Sequence, residues 1–366
     1  MELVIERLVK RFGEAVLAVD NVSLEVGQGE FLVLLGPSGC GKTTTLRCVA
    51  GFEEPEQGRI LIGGVTVTDA SRALLVPPER RNLGMVFQSY AIWPHMTVFE
   101  NVAYGLVVKR RPRAEVKQKV EEMLALVGLS GMEGRPATAL SGGQMQRVAL
   151  ARSLATEPRI LLLDEPLSNL DAKLRASLRF ELKEIQRKTG VTAVYVTHDQ
   201  AEAVVLGDRI AVMNQGRVVQ LADPLSLYNR PASPFVAEFT GATNILQGRL
   251  DRLEDRAGVV RLEGDFEVRC RADGAPPVGS AVTLALRPEN LLVEPGGNSS
   301  GGRPNTWSGR VVKAEFLGTH SIYRVQVGGQ TLTAIELGST PNFPDNASVS
   351  LHIPPERVSL MASTST

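Results

Sequence analysis

Phe31-Leu32-Val33-Leu34-Leu35 runs directly into Gly36-Pro37-Ser38-Gly39-Cys40-Gly41-Lys42-Thr43, and Thr43–Ala50 continues as a helix-compatible stretch. An unbroken apolar run of this length is the pattern of a strand buried on both faces. The residues after it fit G-x-x-x-x-G-K-[ST] in full. Glycines there let successive backbone N–H groups turn inward around phosphate oxygens, and the N-terminus of the following helix adds partial positive charge. Gly36, Ser38, Gly39, Cys40, Gly41 and Thr44 are therefore expected to line a phosphate cradle. Lys42 is expected to reach the β- and γ-phosphates, and the Thr43 hydroxyl to bind Mg²⁺.

Working outward, short apolar runs alternate with helical periods up to about residue 225. Leu83–Phe87, Ile160–Leu163 and Thr192–Val196 read as further buried strands, and Val22, Leu24 and Val26 alternate like a half-buried one. Val116, Val120, Met123, Leu124 and Val127 recur at helix spacing before Gly128, as do Leu174, Leu178, Leu182 and Ile185 before Gly190. Such alternation predicts a mainly parallel sheet covered by helices. Asn214-Gln215-Gly216 reads as a hairpin turn between Arg209–Met213 and Arg217–Leu221.

Two further groupings carry chemistry. Ile160–Leu163 ends in Asp164-Glu165, carboxylates at the strand edge where ligands of open α/β sheets bind. Asp164 is placed to hold Mg²⁺, and Glu165 to polarise a water against the γ-phosphate. Alone, an acidic pair after a strand is more often a turn or cap; the phosphate loop reverses those odds. Leu140-Ser141-Gly142-Gly143-Gln144 precedes the helical MQRVALARSLA, with Ser141 as N-cap. Ser141, Gly142, Gly143 and Gln144 thus form a second phosphate-binding surface. Two such surfaces in one chain are most economically used by two chains arranged head to tail.

The LSGGQ run, lying between the phosphate loop and the acidic strand, closely resembles the signature of ATP-binding-cassette (ABC) ATPases, a P-loop NTPase family. The resemblance implies further roles residue by residue. Gln88 resembles the glutamine linking Mg²⁺ and the attacking water to a membrane partner. Ser168-Asn169-Leu170-Asp171 resembles the loop that crosses the dimer interface. His198 resembles the switch histidine at the γ-phosphate, and Phe12 the aromatic that stacks on adenine. Without the family, a lone histidine after a strand such as His198 is more often structural, and Phe12 could equally be a core residue. The segment from about 89 to 157 corresponds to the helical subdomain, and Tyr90-Ala91-Ile92-Trp93-Pro94-His95 lies where the family docks a transmembrane subunit.

After about residue 240 the texture changes. Val259–Leu262, Ala281–Leu286, Ser308–Ala314, Ser321–Val327 and Val349–Ile353 read as short strands between Gly/Pro/Asp turns, a small all-β sandwich or barrel. Gln247-Gly248-Arg249-Leu250 and Ser308-Gly309-Arg310-Val311 echo each other, and Pro295–Pro304 is a low-complexity loop. The linker from Asp223-Pro224 to Phe239, and Arg287-Pro288-Glu289, resemble pieces of import ATPases of the maltose/polyamine/iron(III) type with an OB-like (TOBE) regulatory domain. The expected domains are 1–240, the nucleotide-binding cassette, and 241–366, the regulatory domain.

The resemblance implies a homodimer binding ATP and Mg²⁺ under two transmembrane permease subunits, served indirectly by a periplasmic or extracellular solute-binding protein. It implies a peripheral position on the cytoplasmic side of the cell membrane. The run Phe239–Leu246 looks more like iron(III), polyamine or phosphonate importers than sugar importers. Forty basic residues balance forty acidic ones, and residues 241–366 carry 12 against 13. That balance argues against a nucleic-acid partner, whether for a non-transport ABC ATPase or for an oligonucleotide-binding OB module. No apolar run reaches the roughly 18 residues of a membrane-spanning helix. Three cysteines, Cys40, Cys48 and Cys270, show no paired spacing. Cys40, near a helix N-terminus and Lys42, is expected to favour the thiolate and to react with bulky thiol reagents; Cys48 is expected to be less reactive.

Overall fold

The apolar runs assemble into a six-stranded sheet in the order 217–222, 209–214, 31–35, 192–197, 160–164, 83–86. The other five strands run parallel to one another and only the hairpin strand Arg217–Ala222 is antiparallel. Every residue of Phe31–Leu35, Ile160–Asp164 and Thr192–Thr197 is buried. Full burial of each Leu, Ile or Val contributes about 1.5–3 kcal/mol, so these strands form the stiff floor from which the site loops rise. The computed structural model describes residues 1–13, 15–254, 257–263, 266–272, 274–296, 303–338 and 340–363.

A second, antiparallel sheet was not legible beyond its Val22–Val26 edge. It orders strands 16–26, 3–12, 57–62, 65–69 and 74–75. Its inward residues Leu3, Ile5, Leu24 and Ile60 share one core with Leu32, Leu34 and Ile160 of the parallel sheet and with Leu46 and Val49 of helix α1 (Lys42–Ala50). Arg81 is buried at the far end of α1. Its Nη1 donates to the carbonyls of Cys48 and Val49 at 3.0 and 2.9 Å, its Nε to Val76 at 2.7 Å, and its Nη2 to the Thr68 hydroxyl at 2.9 Å. Burial pulls the guanidinium pKa down to about 10.

The segment between 89 and 157 holds three helices: α2 (Val98–Val108), α3 (Arg113–Leu126) and α4 (Gly142–Ala155). Val102, Val120, Leu124, Val148 and Ala151 are among their fully buried positions. α5 (Ala172–Thr189) and α6 (Gln200–Leu206) follow the acidic strand and the His198 strand respectively.

The chain divides into two compact units, Met1–Pro224 and Leu225–Thr366. Residues 225–240 thus fall in the second unit, which takes in α7 (Pro224–Asn229) beyond its first residue and α8 (Pro234–Phe239). Ala237 and Ala242 pack with Ala285 and Met361. The Arg287 motif holds this stretch. Its guanidinium donates to Tyr228 O at 2.7 Å and to Thr240 O at 2.5 Å, and lies 3.5 Å over the Tyr228 ring, while the Tyr228 hydroxyl donates to Glu289.

After these two short helices the second unit is built of strands, which among the described residues form two five-stranded antiparallel sheets around one core that includes Leu250, Leu284, Tyr323, Val325 and Leu351. The sequence echo has a structural counterpart. Gly248 and Gly309 lie in the first halves of two eleven-residue strands, Asn244–Glu254 and Thr306–Phe316. A Cβ at either would meet a neighbouring carbonyl, Arg261 O at 2.6 Å or Gln326 O at 2.8 Å. A register shift follows each, at Leu250/Arg252 and at Val311/Lys313. The strands 267–271, 330–337 and 358–362 do not stand out by pattern: the first and last are only five residues long, and Gln330–Leu337 opens on two polar residues. Residues 297–302 of the expected Pro295–Pro304 loop lie outside the described residues.

Candidate functional site

The phosphate loop closes over its own lysine. Lys42 is buried at 4% exposure, and its Nζ donates to the Gly36 and Pro37 carbonyls, both at 2.8 Å. Gly41 has φ +99°, and a Cβ there would collide with the Ala18 carbonyl, so only glycine fits. α1 begins after it without any side-chain cap. Its first amides are left for a ligand, which is what an anion site at a helix N-terminus requires. Ser38 and Gly39 are exposed, Thr44 is half-buried, and Gly36 is buried.

Ala18 belongs to the strand paired with 3–12, so the phosphate loop backs onto the hairpin that carries Phe12, which pairs with Val16. Phe12 is 45% exposed with the Lys10 ammonium 5.1 Å from its ring centre, an open aromatic face rather than a core residue.

Two bonds knit the acidic strand to its neighbours. The Thr43 hydroxyl donates to Asp164 Oδ1 at 2.9 Å. Burial raises the Asp164 pKa, an effect that a bound divalent cation would reverse. The donor set, one hydroxyl and one carboxylate with exposed Gln88 at the end of strand Leu83–Val86, is all oxygen and too sparse to hold a cation alone. Among the described residues no cluster of three His, Cys, Asp or Glu forms a self-sufficient metal site. That suits Mg²⁺ held jointly with nucleotide phosphates.

One residue on, Glu165 adopts φ +44°, a left-handed conformation that costs a non-glycine residue about 1–2 kcal/mol. The turn aims its carboxylate at His198, whose Nδ1 is 3.1 Å from Glu165 Oε2. His198 is 53% exposed. The loop Ser168–Asp171 is tied to both sides: Ser168 Oγ donates to Glu165 O at 2.9 Å, and Asn169 Nδ2 to Gln88 O at 2.9 Å. Asp171 caps α5, accepting from Leu174 N at 3.0 Å.

These features coincide with the comparisons. Residues 19–168 match the ABC transporter model and residues 284–361 the TOBE domain model. The spermidine/putrescine import ATP-binding protein of Rubrobacter xylanophilus is 48% identical over 330 residues, 89% of this chain and 84% of that protein. The chain belongs to the ABC transporter family. It is an ABC-type ATPase with the architecture of import ATP-binding subunits. It is similar to the Thermococcus litoralis trehalose/maltose import ATP-binding protein, 47% identical over 88% of this chain and 87% of the relative. It is 48% identical to the iron(III) import ATP-binding protein of Agrobacterium fabrum, over 91% of this chain and 90% of the relative. Among solved structures, an ATP-binding cassette dimer in a post-hydrolysis state with ADP and Pi gives a TM-score of 0.53 at 32% identity, covering 61% of this chain and 98% of that one.

The ABC signature stretch is finished differently from the phosphate loop. Ser141 Oγ accepts from Gln144 N at 3.4 Å, and Gln144 Oε1 accepts from Ser141 N at 2.9 Å, a complete capping box on α4. Gly143 is buried, and a Cβ there would meet the Leu174 side chain at 3.0 Å. At the other end of α4, Arg152 donates to the carbonyls of Tyr90 and Ala91 at 2.9 and 2.7 Å and lies 4.6 Å over the Trp93 ring. Tyr90 and Ala91 have φ +62° and +48°, so the turn after Gln88 is strained and an arginine pins it. Trp93 packs on Tyr104 with the rings tilted and their centres 4.3 Å apart, and the buried Asn101 brackets its backbone. Of the aromatic cluster, Tyr90 is buried while Trp93 remains half-exposed.

Burial reverses the expectation for Cys40. The thiol is 3% exposed, and desolvation raises its pKa despite Lys42 Nζ at 3.8 Å. The helix end and the lysine favour a thiolate only where water or a ligand can reach it. Cys48 is fully buried and pushed up to about 12, in the direction expected. The arginines 81, 152 and 175, and the buried Glu202, are site-supporting residues without a sequence motif of their own.

Proposed function

We propose that this ATPase works as a homodimer whose ATP, with Mg²⁺, is held between Lys42 and Thr43 of one copy and Ser141 and Gly143 of the other. The supporting observation is the pair of contacts at the ends of adjacent buried strands, Thr43–Asp164 and Glu165–His198. In this reading the phosphate-loop amides and Lys42 hold the triphosphate, Phe12 stacks on adenine, and Thr43, Asp164 and Gln88 hold Mg²⁺. When bound, Mg²⁺ neutralises charge on the β- and γ-phosphates. Glu165 accepts the proton of the attacking water, and His198 orients Glu165 and contacts the γ-phosphate; positioning and charge supply most of the catalysis.

The reading extends to partners. The half-exposed Trp93 and the turn pinned by Arg152 are the surface on which two permease subunits dock, at the cytoplasmic face of the cell membrane, with a solute-binding protein acting indirectly. Among the described residues no helix is long and apolar enough to cross a membrane. Residues up to 240 form the cassette in the family sense, and 241–366 its regulatory domain. The cargo is iron(III), a polyamine or a phosphonate-like solute, on the Phe239–Leu246 run. A sugar is the second reading, favoured by the near-equal identity to a trehalose/maltose relative. Stimulation of ATPase by each solute class in the reconstituted transporter decides between them.

The core test uses two variants in gel filtration with ATP and Mg²⁺. Glu165→Gln removes the base and one negative charge while keeping shape, so it binds ATP, closes the dimer and stalls. Lys42→Ala fails earlier and shows no ATP-dependent dimer. Near-normal turnover by Glu165→Gln overturns the assignment of Glu165.

A further inference from the structure

Arg175, in the first turn of α5, touches three parts of the site at once. Its Nη2 donates to the carbonyls of Leu170 at 2.9 Å and Ser168 at 3.3 Å, both in the loop that follows Glu165. Its Nη1 lies 3.6 Å from the Asp199 carboxylate, and its Nε 3.9 Å from Glu202. These acids belong to the segment that carries His198. Asp199 caps α6, accepting from Glu202 N at 3.0 Å. Glu202 is 3% exposed and accepts from the Tyr195 hydroxyl at 2.8 Å and the Thr197 hydroxyl at 2.6 Å. The Arg175 side chain thus holds two carbonyls of the loop that begins at the strained Glu165, and faces at ion-pair distance two carboxylates of the His198 segment, one of them buried and fixed by two hydroxyls.

We infer that Arg175 is a positioning residue for hydrolysis: it fixes the Ser168–Asp171 loop against the His198 segment, and so sets the separation of Glu165 and His198. Only a planar guanidinium with divergent donors spans carbonyls and carboxylates in this way; a lysine ammonium is a single point charge. The arrangement also holds a reserve. Arg175 Nε is buried and has no hydrogen-bond partner, yet Glu202 Oε1 is only 3.9 Å away. A shift of the loop by about 1 Å brings that pair to hydrogen-bond length. A second copy pressing on Ser168–Asp171 supplies such a shift, so loop contact is converted into a tighter hold on the Glu165–His198 pair. This inference rests on the catalytic roles proposed above for Glu165 and His198.

Steady-state ATPase of the full chain with Mg²⁺ and ATP tests it, using Arg175→Met, Arg175→Lys, Asp199→Asn and the Arg175→Met/Asp199→Asn pair. Asparagine is as good a helix cap as aspartate, so Asp199→Asn removes the charge without removing the cap. The expected result for Arg175→Met is a kcat about tenfold or more below wild type with the KM for ATP within about twofold, the signature of a group that acts on the reaction and not on binding. Arg175→Lys recovers part of the kcat. Asp199→Asn lowers kcat less than Arg175→Met, and the double variant is no slower than Arg175→Met alone, because both act through one contact. A kcat for Arg175→Met within twofold of wild type, or a double variant whose losses multiply, overturns the inference. Should Arg175→Met fail to fold, Arg175→Lys and Asp199→Asn carry the test: wild-type kcat in both overturns it. Glu165→Gln is the control that separates the two ideas. Turnover persisting in Glu165→Gln tells against the proposed base, whereas an unaffected Arg175→Met in an enzyme that Glu165→Gln silences tells against Arg175 alone.

Discussion

Helix α1 starts at Gly41 with no side-chain cap, whereas helix α4 starts at Ser141 inside a closed capping box. Both are glycine-rich N-termini suited to phosphate, and they are held in different states. At α1 the amides are free and the lysine rests on carbonyls of its own loop, so an arriving triphosphate exchanges neutral carbonyl acceptors for anionic phosphate oxygens. At α4 the serine and glutamine satisfy each other, and an arriving phosphate has to replace those bonds. The difference sets an order of events. The first surface is ready in a single chain; the second gains only when another molecule presents a phosphate already held elsewhere. In the proposed homodimer, nucleotide binding before closure follows from how the two helix ends are capped.

The largest expected effect separates the two ends by affinity. Lys42→Ala is expected to weaken ATP binding by about 2–3 kcal/mol, the worth of hydrogen bonds to a charged group, whereas Ser141→Ala leaves the affinity of the isolated chain within about twofold. Calorimetric titration of the monomer with ATP checks both; equal losses would break the comparison. The next prediction sharpens it by dividing capping from phosphate contact. Ser141→Ala is expected to cost about 1 kcal/mol of stability through the lost cap and also to lower ATPase. Ser141→Asp keeps the cap and the melting temperature but sets a carboxylate against the partner's phosphate, so ATPase falls with no loss of stability. Thermal melts beside turnover assays read the two apart.

The third prediction concerns the other end of α4. Arg152→Met is expected to release the Tyr90–Ala91 turn and destabilise the chain by about 1–3 kcal/mol, since two carbonyls lose a charged donor. Hydrogen exchange confined to the turn after Gln88, with α4 unchanged, is the pattern expected. The smallest effect is at Cys40. Its folded-state pKa is raised, so the thiol stays protonated at neutral pH, and its reaction with a thiol reagent becomes appreciable only as pH rises past the ordinary thiol range. Rapid labelling of folded protein at pH 7, blocked by ATP, would mean that the open end of α1 polarises its surroundings more strongly than burial opposes.

Much of this site was legible because its residues are consecutive. Gly36–Thr43, Ser141–Gln144 and Asp164-Glu165 each sit at the junction of a patterned element and a loop, where spacing alone carries the chemistry. The second unit was legible as all-β, but its strands were only half delimited, since Glu267–Arg271 alternates over only five residues and Gln330–Leu337 loses its alternation at the adjacent Ala334 and Ile335. The supporting arginines were not legible at all. Arg81, Arg152 and Arg175 donate to backbone carbonyls, which every residue possesses, so no sequence pattern marks their partners. Cys40 shows the opposite failure: its neighbours in sequence suggested a reactive thiol, while its neighbours in space keep water away.

Arg81 carries a consequence for how the molecule is made. Its guanidinium is buried among acceptors from three separate stretches: Cys48 and Val49 of the α1 terminus, Thr68 of an antiparallel strand, and Val76 beyond it. Its hydrogen-bond acceptors are carbonyls and a hydroxyl, so the charge is tolerable only when all of them are in place. A half-assembled cassette, with α1 docked on the parallel sheet and the antiparallel sheet still loose, would bury a cation with most of its donors empty. That intermediate is penalised, which ties acquisition of the nucleotide-binding helix to completion of the antiparallel sheet in one cooperative step.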